Sequence, residues 1–333
     1  MLTPFLLKNV RCSEEIWQID GITLEEALEK AKSDPRVKAL HWFKNNGGDG
    51  RIGGVKGWYQ GAGGSIGTIV DNNWDTIILN RDNNSNNKHK FSLCIPTMDR
   101  YDQFLSIFLP IYANNPFIDE IIISDENGND IKKIKKNLQN LDKFKFNINT
   151  KKLGAFYNKI KCCQLAKNDW IALIDSDNLV SVDYFLVANN FLNNNDIKVN
   201  TILAPSYAKP SFNFNYFSGM CFKKGNFKNI PKFERDSIIV HELMNTGNYI
   251  LNKYLIDNIK IDEKNEKLTR SPVDVLLFIT ILFEQLDLEM YIVPDLYYHH
   301  TVHDGSFYTN ESKNYNNEIE ITHERFWKLL DEK

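Results

Sequence analysis

From residue 91 onwards, short stretches with the pattern of strands alternate with segments of helical periodicity. The predicted strands are Phe91–Ile95, Ile118–Ser124, Phe144–Ile148 and Trp170–Ile174. One of the intervening segments, Asp130–Leu141, places its apolar residues three and four positions apart, as an amphipathic helix does. Alternation of this kind is typical of a parallel, doubly wound sheet. We therefore expect an α/β domain over residues 91–333, with helices flanking a mostly parallel sheet.

The first 80 residues follow a different pattern, which predicts a small α+β accessory domain. Thr23 and Glu26 have the spacing of a capping box, and apolar residues then recur at helical spacing. Val37–Phe43 is predicted as a strand and Gly47–Gly67 as a loop-rich surface. Residues 81–90 (RDNNSNNKHK) contain no apolar side chain, so we expect a linker there.

Four aromatic residues of this N-terminal unit are open to two interpretations. Trp42, Trp58, Tyr59 and Trp74 either fill a small core or form a face that binds a sugar or a protein partner. A small domain needs large side chains to fill its interior, so we favour the core.

The composition excludes several classes of protein. Hydrophobic residues make up 42% of the chain and charged residues 25%, which excludes a disordered chain or a coiled coil. Lys and Arg number 40 against 43 Asp and Glu, so no global basic field favours nucleic acid or anionic lipid. The longest apolar run, Leu276–Phe283, is far shorter than the ~20 residues of a membrane span.

Cysteine usage and the amino-terminal sequence indicate a compartment. The five cysteines include no C-x-x-C pair, which indicates free thiols in a reducing environment. The first residues, MLTPFLL, have neither a basic segment nor a small-residue cleavage site. We therefore expect a cytoplasmic protein with no nucleic-acid partner and no membrane span.

Polar and acidic residues follow the predicted strands. Pro96 and Thr97 follow the first strand, Asp125 ends the second, and Asp175–Asp177 (DSD) follows the fourth. Ligands of such sheets bind at the carboxyl ends of the strands, so we expect these residues around one cleft. Two carboxylates separated by one residue indicate a site for Mg²⁺ or Mn²⁺ beside a phosphate. Taken alone, the triplet is also compatible with a solvated turn.

The ordered set of these motifs resembles the nucleotide-binding half of family 2-like glycosyltransferases with the GT-A fold. Those enzymes have a strand ending in Pro-Thr, a second strand ending in acidic residues, a helix with Gly and Asn, and a strand that enters D-x-D. The resemblance covers residues 91–183 well and continues more weakly to about residue 307. It does not include the first 80 residues.

The resemblance implies roles for the residues at the strand ends. The implied donor-nucleotide residues are Pro96, Thr97, Arg100, Asp125, Gly154, Asn158, Asp175 and Ser176. Among them, Asp125 would contact the nucleoside base or ribose. The resemblance also implies that Asp177 would hold the metal. The family often has an Arg where this chain has Tyr157. Lys159 is then either the basic contact of the diphosphate or a solvated helix residue.

Downstream of these strands, Asp274 opens a predicted apolar helix. It resembles the acidic residue that acts as general base in inverting members of the family, although Val273 replaces the acidic partner that precedes it there. The other interpretation is a favourable interaction with the helix dipole. Glu242 is the second candidate for the base.

A histidine-rich segment, Tyr297–Ser306, follows the strand predicted at Met290–Val293. The resemblance implies that His303 joins Asp177 in the metal shell, since the turn after His303 matches the family motif. His299 and His300 are the competing ligands.

These implications together predict a metal-dependent glycosyltransferase. It would use Mn²⁺ or Mg²⁺ to move a sugar from a nucleotide-diphosphate donor, with UDP implied, to an acceptor hydroxyl with inversion. The acceptor, whether glycan, protein or small molecule, cannot be read from the sequence. One alternative is a sugar-phosphate nucleotidyltransferase, which the glycine-free loop Pro96–Tyr101 disfavours. Another is a non-catalytic carbohydrate-binding protein with a degenerate transferase domain, which the intact D-S-D triplet disfavours.

Overall fold

The structure is a computed structural model, and it describes residues 5–11, 14–43, 56–63, 69–78, 89–180, 183–226, 238–261, 265–303, 306 and 310–331. The chain divides into two compact units, Met1–Asn86 with Ser181–Asp183 and Asn87–Val180 with Tyr184–Lys333. Residues 81–88 of the predicted linker lie outside the described residues.

The N-terminal unit contains a five-stranded antiparallel sheet and a helix. Its elements are β1 (Phe5–Arg11), β2 (Glu15–Ile22), α1 (Leu24–Ser33), β3 (Ala39–Phe43), β4 (Gly57–Ala62) and β5 (Ile69–Ile78). The strand order is β1-β5-β3-β4-β2. The capping box of α1 is confirmed, because the backbone N–H of Glu26 donates to Thr23 Oγ1 and that of Thr23 donates to Glu26 Oε2.

The apolar stripe of α1 packs into the core of this unit. The buried cluster consists of Leu24, Ala27, Leu28, Ala31, Val37, Leu40, Trp42 and Tyr59. Trp42 and Tyr59 therefore fill the core, as favoured above. Trp58 is partly exposed, and the side chain of Trp74 lies outside the described residues.

The predicted loop-rich surface at Gly47–Gly67 is wrong in its middle part. Residues 57–62 form β4, which pairs with β2 and β3. A Cβ added at Gly61 would lie 2.5 Å from the indole ring of Trp17. Glycine is thus needed here because an aromatic ring lies against the strand, and its presence does not indicate a loop. Residues 47–55 and 64–67 lie outside the described residues.

The chain from residue 89 onwards builds a mixed ten-stranded sheet with flanking helices. Its strands are β6 (Phe91–Thr97), β7 (Ile118–Asp125), β8 (Phe144–Ile148), β9 (Trp170–Leu173), β10 (Leu179–Val180), β11 (Thr201–Lys209), β12 (Phe212–Asn213), β13 (Cys221–Lys223), β14 (Ile250–Asn252) and β15 (Glu289–His299). Its described α-helices are α2 (Ser106–Ala113), α3 (Asn129–Asn137), α4 (Ala155–Gln164), α5 (Asp183–Asn194), α6 (Ile238–Asn245), α7 (Lys253–Asn258), α8 (Glu266–Thr269), α9 (Asp274–Gln285) and α10 (Asn316–Asp331).

The four strands predicted from periodicity form the parallel half of this sheet, in the order β9-β6-β7-β8. Every residue of β6 is buried, which explains its nearly continuous apolar sequence. Beyond β9, β14 pairs antiparallel with both β9 and β11, and β11 pairs parallel with β15. The expected α/β sheet with flanking helices is confirmed, and its first four strands are parallel as predicted. Beyond β9 the sheet is mixed, because β10, β12, β13 and β14 all pair antiparallel.

The late strand is longer than predicted. β15 continues past Val293 to His299, so Tyr297 and Tyr298 belong to the strand and not to the segment after it. Pro294 interrupts the apolar pattern, but pairing with β11 resumes after an irregularity at which Asp295 has a φ of 59°.

The apolar run Leu276–Phe283 lies within α9 and is buried throughout. In the described part of the chain, no helix combines the length and apolarity needed to cross a membrane.

Candidate active site

A cleft of about 920 Å³ lies at the carboxyl ends of the parallel strands. The predicted site residues that line it are Pro96, Thr97, Arg100, Gly154, Asn158, Asp175, Ser176, Asp177 and Asp274. The cleft is at the upper end of the size range of small-molecule sites. The topology therefore brings most of the predicted residues together.

The loop after β6 is held by a carboxylate that sequence reasoning missed. Thr97 Oγ1 donates to Asp130 Oδ2 at 2.5 Å, and the backbone N–H groups of Arg100 and Tyr101 donate to the same carboxylate at 3.0 and 2.9 Å. Asp130 is fully buried in the first turn of α3. In the sequence it looks like the polar start of an amphipathic helix, and no local signal shows its role.

At the end of β7, Glu126 lines the cleft and Asp125 does not. Asp125 is fully buried, and its two oxygens accept the backbone N–H groups of Asn127 and Ile131 at 3.2 and 3.0 Å. Its carboxylate thus caps the turn into α3 and lies outside the lining of the cleft. This placement favours Glu126 over Asp125 for the predicted contact with the base or ribose.

Glu126 has one oxygen engaged and one that is buried and unpaired in the described part of the chain. Glu126 Oε2 accepts the backbone N–H of Leu153 at 2.7 Å, whereas Oε1 has no hydrogen-bond partner among the described residues. Burial raises the pKa of Glu126 above its usual value, although the hydrogen bond from Leu153 opposes this shift. The Asp125-Glu126 pair is visible in the sequence, but the backbone at the strand end decides which residue faces the cleft.

The start of α4 forms another wall of the cleft. Gly154 precedes the helix with a φ of 81°, in the region that favours glycine. Asn158 is 3% exposed, and its amide donates to Ser124 O and accepts from Asn149 Nδ2. Asn158 therefore joins α4 to β7 and lines the cleft with its amide already engaged.

Basic side chains lie near this wall, although Tyr157 replaces the family's arginine. Lys152 and Arg270 both line the cleft. Arg270 Cγ would be 3.5 Å from a Cβ added at Gly154, so this arginine comes from a distant part of the chain to the start of α4. Sequence reasoning missed both residues, because neither belongs to the matching motif.

Lys159, on α4, bridges two of the predicted carboxylates. Its Nζ lies 3.0 Å from Asp175 Oδ1 and 2.8 Å from Asp274 Oδ2. The Lys159 side chain is 14% exposed, so the interpretation as a solvated helix residue is wrong. Burial alone would lower the pKa of Lys159, but the two carboxylates outweigh that effect and raise it well above its ordinary value.

Asp274 is the first residue of α9, as the sequence predicted, and its side chain is 10% exposed. The preceding residue, Val273, offers no side-chain cap. Instead, Asn245 Oδ1 of α6 accepts the backbone N–H of Leu276 at 3.2 Å. An amide from another helix thus caps this terminus, and the Asp274 carboxylate is directed to Lys159 and the cleft.

Asp175–Asp177 lies in the turn after β9. The backbone N–H of Asp175 donates to Asn248 Oδ1 at 2.9 Å, which fixes the start of the turn. Asp177 Oδ2 lies 3.1 Å from His303 Nε2, and the His303 ring packs against Phe104. The structure therefore places His303 beside Asp177. Residues 304 and 305, which belong to the turn used to choose His303, lie outside the described residues.

The competing histidines have other surroundings. His299 ends β15, and burial lowers its pKa to about 4. His300 lines the cleft and packs edge-on against Phe212. Burial also lowers the pKa of His300, although Asp175 and Asp177 oppose this shift.

Asp177 and His303 fit a divalent ion as a partial ligand set. In the described part of the chain, no three His, Cys, Asp or Glu side chains cluster as a metal site. However, the 3.1 Å between Asp177 Oδ2 and His303 Nε2 is about the separation of two neighbouring ligands of an octahedral ion with bonds of roughly 2.1 Å. Mg²⁺ and Mn²⁺ sites of this kind take their other ligands from water and substrate phosphates.

A further group of cleft residues comes from α6 and α10. His241 and His323 have ring centroids 4.1 Å apart, and burial lowers the pKa of His241 to about 4. Glu242, the second candidate for the base, also lines the cleft, and burial raises its pKa. His323 was missed because α6 and α10 lie far apart in the sequence.

Comparison with protein families identifies the class. Residues 92–249 match the family model of glycosyl transferase family 2. This match confirms the resemblance to family 2 glycosyltransferases over that segment. The matched segment contains β6–β9 and the D-S-D triplet but ends before Asp274 and His303.

Solved glycosyltransferase structures share the fold. The chain is similar to residues 1–349 of S. aureus TarS in complex with UDP-GlcNAc, with 14% identity over 71% of this chain and 66% of that one, and a TM-score of 0.52. A second crystal structure of the same TarS fragment gives 15% identity over 71% and 65% of the two chains, with a TM-score of 0.49. The chain thus spans about two thirds of the length of these fragments, and the first similarity supports the GT-A fold. No curated protein sequence matches the chain.

Proposed function

We propose that the protein is a divalent-metal-dependent glycosyltransferase that moves a sugar from a UDP-sugar to an acceptor hydroxyl with inversion. The observation that carries the proposal is one cleft that joins the strand-end loop, Asp177 and the carboxylate of Asp274, with His303 in contact with Asp177. The TarS fragment was solved with UDP-GlcNAc, which supports UDP as the nucleotide of the donor.

The nucleotide would bind along the strand ends. The loop Pro96–Arg100, held by Asp130, would contact the nucleoside, and Glu126 Oε1 would accept a hydrogen bond from the base or ribose. The diphosphate would lie at the start of α4, because a helix amino terminus favours anions. Gly154 and Arg270 line the cleft there.

Asp177 and His303 would hold the divalent ion. Such an ion, when bound, offsets the negative charge that builds on the leaving diphosphate. Asp274 would take the proton of the acceptor hydroxyl. The new bond then forms between the acceptor oxygen and the anomeric carbon, while the bond to the diphosphate breaks and UDP leaves.

We also propose a domain organisation and a compartment. The N-terminal unit would be an accessory domain, joined by the linker at residues 81–90. The four cysteines among the described residues, Cys94, Cys162, Cys163 and Cys221, are all free thiols, which supports a reducing compartment such as the cytoplasm.

Donor hydrolysis tests the function directly. We expect the protein, with Mn²⁺ or Mg²⁺, to release UDP from one or more UDP-sugars in the absence of an acceptor, and to act poorly on GDP- and CMP-sugars. Release of pyrophosphate from UTP and a sugar 1-phosphate would instead indicate a nucleotidyltransferase. UDP binding without turnover of any nucleotide sugar, or of UTP with a sugar 1-phosphate, would indicate a non-catalytic binding protein.

Glu126 and Asp125 should respond differently to substitution. Glu126→Ala should raise the Kd for UDP about tenfold, the effect of one lost hydrogen bond to a charged group, with the stability little changed. Asp125→Ala should instead lower the free energy of unfolding by roughly 1–3 kcal/mol, because the buried N–H of Ile131 and the N–H of Asn127 lose their acceptor. Calorimetry with UDP and urea unfolding measure the two quantities. Weaker UDP binding in a stable Asp125→Ala variant, with Glu126→Ala unaffected, would restore the original assignment of Asp125.

A further inference from the structure

The ammonium of Lys159 connects the two ends of the proposed reaction centre. Asp175 belongs to the D-S-D turn on the donor side, and Asp274 is the proposed base. Because both carboxylates contact Nζ, their contacting oxygens are at most about 5.8 Å apart. Two negative charges at that distance repel strongly when poorly solvated, and the lysine compensates for them.

The surroundings of Lys159 strengthen its ion pairs with Asp175 and Asp274. On one side, Lys159, Asp175 and Asp274 face the cleft. On the other, Lys159 and Asp274 border a void of about 10 Å³ lined by apolar side chains such as Phe156, Leu173 and Phe278. An ion pair against such an apolar wall, with side chains only 14% and 10% exposed, is less screened than a pair at the protein surface.

We propose that Lys159 is a positioning residue, which fixes the Asp274 carboxylate against the donor turn in the geometry that proton removal needs. The proposal rests on the proposed function, since it takes Asp274 as the base. Oδ2 of Asp274 faces Lys159, which leaves Oδ1 for the acceptor hydroxyl. The alternative role is the diphosphate contact considered from the sequence.

The two roles predict different kinetics. A positioning residue acts on the chemical step, so its loss lowers kcat at saturating donor. A diphosphate ligand binds the leaving group, so its loss raises the Kd for UDP. Misplacement of a catalytic group by about 1 Å can cost about 10²-fold in rate.

We therefore expect Lys159→Met to lower kcat for hydrolysis of the best UDP-sugar about 10²-fold, with the Kd for UDP within threefold of wild type. Lys159→Arg should retain activity within about tenfold, because a guanidinium also bridges two carboxylates. Lys161→Met is the matched control, since Lys161 lies on the same helix and does not line the cleft. It should leave both quantities unchanged.

A double-mutant cycle with Asp274→Asn tests whether Lys159 acts through the base. In the Asp274→Asn background, Lys159→Met should lower kcat by less than about threefold further. The unfolding equilibrium constant should also rise less on Lys159→Met in that background than in the wild type, because one of the two charges left unpaired is already absent.

Three outcomes would overturn the proposal: unchanged kcat in Lys159→Met, a Kd for UDP raised more than tenfold at unchanged kcat, or additive effects in the cycle. If Lys159→Met does not fold, Lys159→Gln replaces it with the same expectations. If the wild type hydrolyses no nucleotide sugar, the proposed function fails. The unfolding cycle still tests the contact between Lys159 and Asp274 in that case.

Discussion

Asp274→Asn is expected to lower donor turnover by ~10²–10⁴, the range for removal of a general base. The amide has nearly the same shape as the carboxylate, but it cannot take the proton of the acceptor hydroxyl. Folding should persist, because Asn245 and not Asp274 caps the helix with its side chain, and Lys159 keeps its contact with Asp175. UDP affinity should stay within about threefold of wild type. Steady-state kinetics with the best UDP-sugar and calorimetry with UDP measure the two quantities.

Two further variants make this result specific. Asp287→Asn removes an exposed carboxylate just after the same helix and should leave kcat unchanged. Glu242→Gln tests the second candidate for the base, whose pKa burial raises. Activity that survives in Asp274→Asn and disappears in Glu242→Gln would transfer the role of base to Glu242. A large loss of stability with retained turnover would leave Asp274 a purely structural role.

The parallel half of the sheet could be predicted because its signal is local. Each of its strands is a segment of four to eight residues in which apolar residues cluster or alternate with polar ones, and each is separated from the next by a segment of different pattern. Once these strands are placed in a parallel sheet, their carboxyl ends must meet at one edge. The position of Asp175–Asp177 in the cleft follows from this rule.

The choice between neighbouring side chains could not be predicted. Asp125 and Glu126 are adjacent, so their side chains point in opposite directions at the end of the strand. One points into the protein interior and the other into the cleft, and a shift of one residue would exchange them. The hydrogen bonds that decide the matter come from the backbone of the following turn. A resemblance to a family locates the acidic motif at the end of the strand, but it does not determine which of the two acidic side chains faces the cleft.

Contacts between distant elements were also invisible in the sequence. Lys159 meets Asp175 and Asp274 because α4, the turn after β9 and α9 converge at one point. Likewise, β14 enters the sheet between β9 and β11 from much later in the chain. Local periodicity predicts that such elements exist, whereas their neighbours depend on the packing of the whole domain.

The other large effect is expected at the proposed metal site. Chelation of divalent ions should abolish turnover in the wild type, and Asp177→Asn should abolish turnover at all concentrations of Mn²⁺. Asp177 supplies the charged oxygen of the pair, and its loss leaves a neutral amide and an imidazole, which bind a hard cation weakly. Urea unfolding should show a normal fold, since the Asp177 side chain is 23% exposed.

His303→Ala should have a graded effect, because it removes one ligand and leaves Asp177 in place. We expect the Mn²⁺ concentration for half-maximal activity to rise by at least tenfold, with turnover partly restored at high Mn²⁺. The preference for one metal over the other should also change, because imidazole suits Mn²⁺ better than Mg²⁺. Loss of His303 should therefore reduce the ratio of activity with Mn²⁺ to activity with Mg²⁺. Electron paramagnetic resonance of Mn²⁺ with UDP measures the affinity without turnover. His299→Ala is the matched control, because His299 is the last residue of β15 and does not line the cleft. An unchanged Mn²⁺ affinity in His303→Ala, together with a weakened one in His300→Ala, would move the ligand to His300.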